Sequence, residues 1–258
     1  MPPRLLDQGL ISRPAKVRPV QTFLRMITVL PGWDWAALLI FFSGWVGYVR
    51  FAKHHATSQP SVLASTNRVR REWMLQSTRR EARVIDAVVM QSLATSPSFF
   101  ASTTILIIGG LLAALSTTEK ASEMVRDLPF TAQTSMLVFD LKLILLLAIF
   151  VYAFFRFTWS MRQYTFGAML VAAAPEMDQF DAQGAAAEMQ RNAFADRAGR
   201  VVSLAAETFN DGLRAYYFAF ATIGWFFSPL AFGLATVGVI FILYRREFRS
   251  EVLAVLNS

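Results

Sequence analysis

Asp140 and Lys142 are the residues of this chain best placed to do chemistry. Both fall inside the apolar run MLVFDLKLILLLAIFVYAFFRFTWSMR, from Met136 to Arg162. Ionisable groups are costly in a bilayer, so those within a span are read by default as parts of an ion path, a ligand site or an interhelical pair. Two residues apart, they point to different faces of one helix and do not pair with each other. Two readings stay open. Asp140 lies close enough to the end of the run to be hydrated, and Lys142 can lift its head group to the same surface; boundary anchoring of this kind is preferred. The alternative has one or both facing a polar cavity or a partner helix, as a buried charge requires. Asp34 and Arg50 bracket an earlier apolar run with the same sixteen-residue spacing as Asp140 and Arg156.

A second group joins Arg71, Glu72 and Trp73 to Arg162, Asn210 and Arg214. All fall on the side reached after the first and third spans, so they are candidates to converge at the membrane surface. Guanidinium groups beside an indole suit an anionic head group or an acidic partner, although interfacial anchoring is the simpler reading for each one singly. Pro229 follows Ser228 within a charge-free run and is expected to kink it. His54 and His55 are adjacent and point apart on a helix, which suits neither a metal pair nor a triad. With no cysteine in the chain, thiolate catalysis and disulfides are excluded. No phosphate loop, H-E-x-x-H helix or G-x-S-x-G elbow occurs, so neither an enzyme nor a metal or cofactor site is expected.

The elements that must position these residues are membrane helices. The 258 residues are 55% hydrophobic and 17% charged, against about 25% charged for soluble domains, and the apolar excess lies in blocks. Spans are expected at about 33–51, 98–116, 136–157 and 215–244. Between them, residues 52–96 and 158–214 read as two long amphipathic helical segments on one face of the membrane. The first starts at Pro60-Ser61 and is interrupted by Pro97; the second carries a helical face from Ala187 through Phe194 to Leu204 and a break at Asn210-Asp211-Gly212. The fold class is therefore all-α: a polytopic membrane protein with four transmembrane helices plus two long amphipathic segments. Gly44 and Gly47 are candidate close-approach points, as is Gly109-Gly110.

Residues 1–32 form a basic tail, irregular over 1–20 with a short surface helix expected at 21–30 and no cleaved signal. Residues 251–258 are a C-terminal tail. The net charge of +7 is assigned to loop retention and anionic lipid rather than nucleic acid. Residues 50–97 carry eight Lys and Arg and residues 156–214 carry six, against five in the N-terminal tail, two in the 117–135 loop and three after the fourth span. The balance leans towards cytoplasmic long segments, with Arg245 and Arg246 arguing the other way. The two Asp–Arg brackets, and the similar span ends YVRF and FFRF, raise a duplication of two two-span halves, but coincidence of polar brackets is the preferred account.

The motifs RREWM (Arg70 to Met74), FFAS (Phe99 to Ser102), LKL (Leu141 to Leu143), FTWSMR (Phe157 to Arg162), FNDGLRAYYFA (Phe209 to Ala219), Gly224-Trp225 and RREF (Arg245 to Phe248) together resemble the DUF599 family, bacterial and plant membrane proteins of unknown function. The resemblance covers about residues 33–250, implies a multi-spanning helical protein of the kind found in a bacterial inner membrane, and supplies no activity. The function expected is a non-enzymatic membrane component that packs with other membrane proteins or with itself. The alternative is a small transporter or channel for an ion or small anionic solute, with Asp140, Lys142 and the Pro229 kink along its path.

Overall fold

The computed structural model describes residues 30–55, 61–118 and 135–257. The expected helix at 21–30, the start at Pro60 and most of the 117–135 loop lie outside the described residues. Among the described residues eight α-helices follow in order: α1 (Gly32–His55), α2 (Val62–Ser77), α3 (Val84–Ser116), α4 (Met136–Ala172), α5 (Met177–Asp181), α6 (Ala187–Phe227), α7 (Pro229–Phe248) and α8 (Glu251–Leu256). Four of these are long and apolar enough to cross a membrane: α1, α3, α4 and the run that starts with α7 at Pro229. This is the expected all-α polytopic class, but two boundaries differ from the sequence reading.

The first concerns 215–244. It is not one kinked span. α6 ends at Phe227, Ser228 is extended (φ −165°, ψ 159°), and α7 starts at Pro229. Ser228 accepts a hydrogen bond from Ala231 N at 3.0 Å, and Pro229 takes the first helical position, where no N–H is needed. The chain then turns back on itself. Trp225 stacks on Phe232 with ring centroids 5.3 Å apart, Tyr217 accepts from Arg246, and Arg214 pairs with Glu247. These successively longer sequence separations describe an antiparallel hairpin. A cap plus a proline at N1 starts a new helix, whereas a proline within a helix only bends it.

The second concerns segment 158–214, most of which continues α4 and α6. α4 and α6 have 37 and 41 residues, or roughly 56 and 62 Å at 1.5 Å per residue, far longer than a hydrocarbon core of about 30 Å. They run antiparallel along their length. Phe139 meets Phe226, Ser160 Oγ donates to Ala205 O at 2.7 Å, and Gly167 faces Val202. Near one end α4, α6 and their neighbours bury Phe41, Phe157, Phe218, Trp225 and Phe232; beyond the other, α2, α5 and the extensions of α3, α4 and α6 bury a second core of Met74, Met90, Tyr164, Phe180 and Phe194. The last part of α6 thus passes through the bundle beside the four apolar helices.

Two expected breaks are absent. Pro97 sits buried inside α3, and Asn210-Asp211-Gly212 lies within α6. In hydrocarbon a broken helix strands backbone polar groups, which favours continuity through a proline. At 210–212 the Asp211 carboxylate is engaged by three cations rather than by its own backbone. Gly212 is required by packing: a Cβ there would stand 2.5 Å from the Phe157 ring. Segment 52–96, by contrast, is divided. Ser61 caps α2 by accepting from Ala64 N at 3.1 Å, α2 stops at Ser77, and α3 starts at Val84. Arg83 ties this corner to the end of α4, donating to Ser77 O, Val171 O, Ala174 O and Pro175 O.

Candidate functional site

Lys142 occupies the second turn of α4, about 9 Å along the helix from Met136. Its residue exposure is 1%, which corrects the preferred anchoring reading: it does not lift its head group to the surface. The reason is the α6–α7 hairpin, whose closing turn carries Trp225 and Phe226 against this part of α4. The ammonium lies 5.6 Å from the Trp225 ring centroid and 5.7 Å from that of Phe226, a cation–π arrangement. Among the described residues no hydrogen-bond acceptor or carboxylate pairs with Nζ.

Lys142 lines an open cavity of about 620 Å³ between the start of α1 and the hairpin turn, with Ala37, Ile40, Ser228, Gly233 and Leu234 among its walls. Asp34 lines the same cavity and is 6% exposed. Its Oδ1 accepts from Trp225 Nε1 at 2.5 Å, which holds the indole between the two charged groups. The walls reach the lipid-facing surface: Leu230 is 73% exposed and Leu234 65%. The α7 N-terminus, with its positive dipole end, opens on this space. Asp140 is not part of the site. It is half-buried and accepts from Thr118 Oγ1 at 2.8 Å, a bond between the ends of α3 and α4.

A second charged cluster sits at the other end of the bundle, 14 residues or roughly 21 Å further along α4. Asp211, 4% exposed, accepts from Lys53 Nζ at 3.3 Å, from Arg214 Nη1 at 3.0 Å and from Arg156. Arg214 also forks onto Glu247 at 2.9 and 2.7 Å, and its guanidinium lies 5.8 Å from the Tyr48 ring centroid. This network ties α1, α4, α6 and α7 together. Between it and Lys142 stand the fully buried rings of Phe41, Phe218 and Phe232, with Trp45 stacked on Phe218, so no polar stripe joins the two ends.

The expected convergence of Arg71, Trp73, Arg162, Asn210 and Arg214 does not occur. Arg71 pairs with Asp196 and Asn192, and Trp73 Nε1 donates to Asp86 at 2.7 Å. Arg162 and Arg50 are exposed, Asn210 is half-buried, and Arg214 belongs to the Asp211 network. The cause is the length of α4 and α6, which spreads these residues along the helices instead of over one surface. Pro229 lines the Lys142 cavity. Sequence reasoning missed Asp211, Glu247, Asp86 and the buried Arg191. For Asp211 a signal was present, since Arg214 follows at i+3; Glu247 becomes its neighbour only through the hairpin. Among the described residues, no three His, Asp or Glu side chains gather to hold a metal.

The sequence profile of a family described as a protein of unknown function, DUF599, matches residues 36–252. No curated protein matches this chain, and no solved structure does.

Proposed function

The chain belongs to the DUF599 family, and from that premise we propose that it is a non-enzymatic membrane protein that binds an anionic group at Lys142, as a small transporter or carrier would. One observation carries this reading: a buried lysine, joined by no ion pair or hydrogen bond among the described residues, faces a cavity large enough for a small ligand, with the Asp34 carboxylate near but not in contact. Burying an unpaired charge is expensive, and such groups persist where a ligand or a conformational change compensates them. The hairpin places a helix N-terminus beside a discontinuity at the edge of the membrane, an arrangement that favours anions. The blocking aromatic layer makes this state closed towards the Asp211 end, so carriage would require Phe41, Phe218 and Phe232 to part.

The hairpin also bears on orientation. It returns Arg245, Arg246 and Arg249 to the side of the two long segments, where α8 packs on α2 through Ser65–Asn257 (3.0 Å) and Arg68–Leu256 O (3.1 Å). The basic residues that argued against a cytoplasmic placement of that side then argue for it. We therefore place the α2–α5 end in the cytoplasm, facing anionic lipid, and the Lys142 cavity at the opposite leaflet.

The packing-component reading keeps one observation of its own: Gly109 and Gly110 present an open face of α3 with nothing near a would-be Cβ. Native mass spectrometry of the protein released from its own membrane separates the two. A retained small anion or lipid that is lost in Lys142→Met supports the binding reading. A stoichiometric protein partner or defined homo-oligomer with an empty cavity overturns it in favour of packing.

A further inference from the structure

We propose that the ligand of this cavity is a zwitterionic phospholipid bearing a primary ammonium, entering sideways from the leaflet; this rests on the binding reading above and names its ligand. Three observations converge. Lys142 and Asp34 line one cavity, both buried, and no ion pair joins them. Two opposite charges buried near each other without contact form a site complementary to a ligand that carries both signs at a short separation. A phosphate fits Lys142 and the α7 N-terminus; an ammonium fits the second oxygen of Asp34, which no donor meets among the described residues, while Trp225 holds the first.

The third observation gives the source of the ligand. Away from the two charges, the cavity wall is apolar and continues onto the outer faces of α1 and α7 through Ile40, Leu234 and Val237, which are 43%, 65% and 57% exposed. α1 and α7 run side by side in the same direction, with Phe41 against Phe232 and Phe51 against Tyr244, and the cavity wall extends along α7 from Pro229 to Val237. A water-soluble zwitterion has no use for that exposed apolar wall; an acyl chain does, at about 0.8 kcal/mol per buried methylene.

The test reconstitutes the full chain in vesicles of equimolar phosphatidylethanolamine and phosphatidylglycerol, releases it in mild detergent and counts retained lipids by native mass spectrometry. Wild type is expected to hold phosphatidylethanolamine about tenfold over phosphatidylglycerol, the scale of one charge-assisted hydrogen bond. Asp34→Asn keeps the carbonyl oxygen that accepts from Trp225, so the fold is maintained, and is expected to abolish that preference. Lys142→Met is expected to lose both lipids. Retention of phosphatidylglycerol equal to or above phosphatidylethanolamine, or an unchanged preference in Asp34→Asn, overturns the zwitterion inference and leaves the anion reading standing. A wild type that holds neither lipid overturns this proposal, and a cavity also empty of any small anion overturns both.

Discussion

Replacing Asp211 by asparagine probes how the bundle is held at the end away from the Lys142 cavity. Asp211 faces three cations, and their losses are unequal. Lys53 is 58% exposed at its side chain, so its pair contributes no more than about 0.5 kcal/mol after solvent screening. Arg214 keeps both of its bonds to Glu247 and is not orphaned. Arg156 loses its carboxylate, and its Nε is already buried without an acceptor. Removing one partner of a buried pair costs about 3–5 kcal/mol. Arg156 retains 29% side-chain exposure and asparagine still offers an acceptor, which brings the expected loss to about 2–3 kcal/mol. For a chain of this size that lowers Tm by roughly 4–12 °C. The assay is tryptophan-fluorescence unfolding in a mild detergent, with Lys53→Ala as the control expected to move Tm by less than about 2 °C. An Asp211→Asn midpoint within about 2 °C of wild type, or a Lys53→Ala loss as large as that of Asp211→Asn, refutes the assignment of Arg156 as the dependent charge.

Other consequences are open to the same instruments. Lys142→Met removes a buried charge that no ion pair or hydrogen bond holds among the described residues and keeps the side-chain length, so its Tm in the absence of added lipid is expected at or above wild type; a clear drop would mean that the ammonium stabilises the bundle through Asp34 and the Trp225 and Phe226 rings. Gly212→Ala forces a Cβ to 2.5 Å from Phe157 and is expected to cost about 1–3 kcal/mol, whereas Gly47→Ala, with nothing nearby, is expected to be neutral or stabilising by up to about 1 kcal/mol. Equal losses at the two positions would refute the packing account. The chain has no cysteine, so single cysteines report sidedness directly. Glu72→Cys and Glu251→Cys are expected to react with an impermeant thiol reagent from one side and Thr117→Cys from the other; opposite labelling of positions 72 and 251 would rule out the α6–α7 hairpin.

The sequence by itself determined the class of object, the four apolar runs, the clustering of basic residues around the long segments and the family. It also located Asp34, Asp140, Lys142 and Arg156 as charges that a membrane must accommodate, because composition and run length are enough to recognise hydrocarbon-crossing helices. Tertiary structure alone decided which of them are buried. Hydrophobic periodicity separates wet faces from dry ones, but lipid is as apolar as a protein core, so it does not distinguish a helix face turned to lipid from one turned to a neighbour. That is why Gly44 meets Ile240 while Gly47, Gly109 and Gly110 meet nothing, and why Lys142, one of two opposite charges near a span end, is buried while Asp140 is only half-buried. Break signals misled for a related reason. Asn-Asp-Gly and proline end helices readily where water can satisfy the freed backbone; within the bundle the backbone stays paired and α3 and α6 continue. At Ser228-Pro229 the capping residue and the proline did mark an end, but only the pairing of Arg214 with Glu247 across the turn made it a hairpin, and that pairing placed the C-terminus, the Asp211 network and the Lys142 cavity where they are.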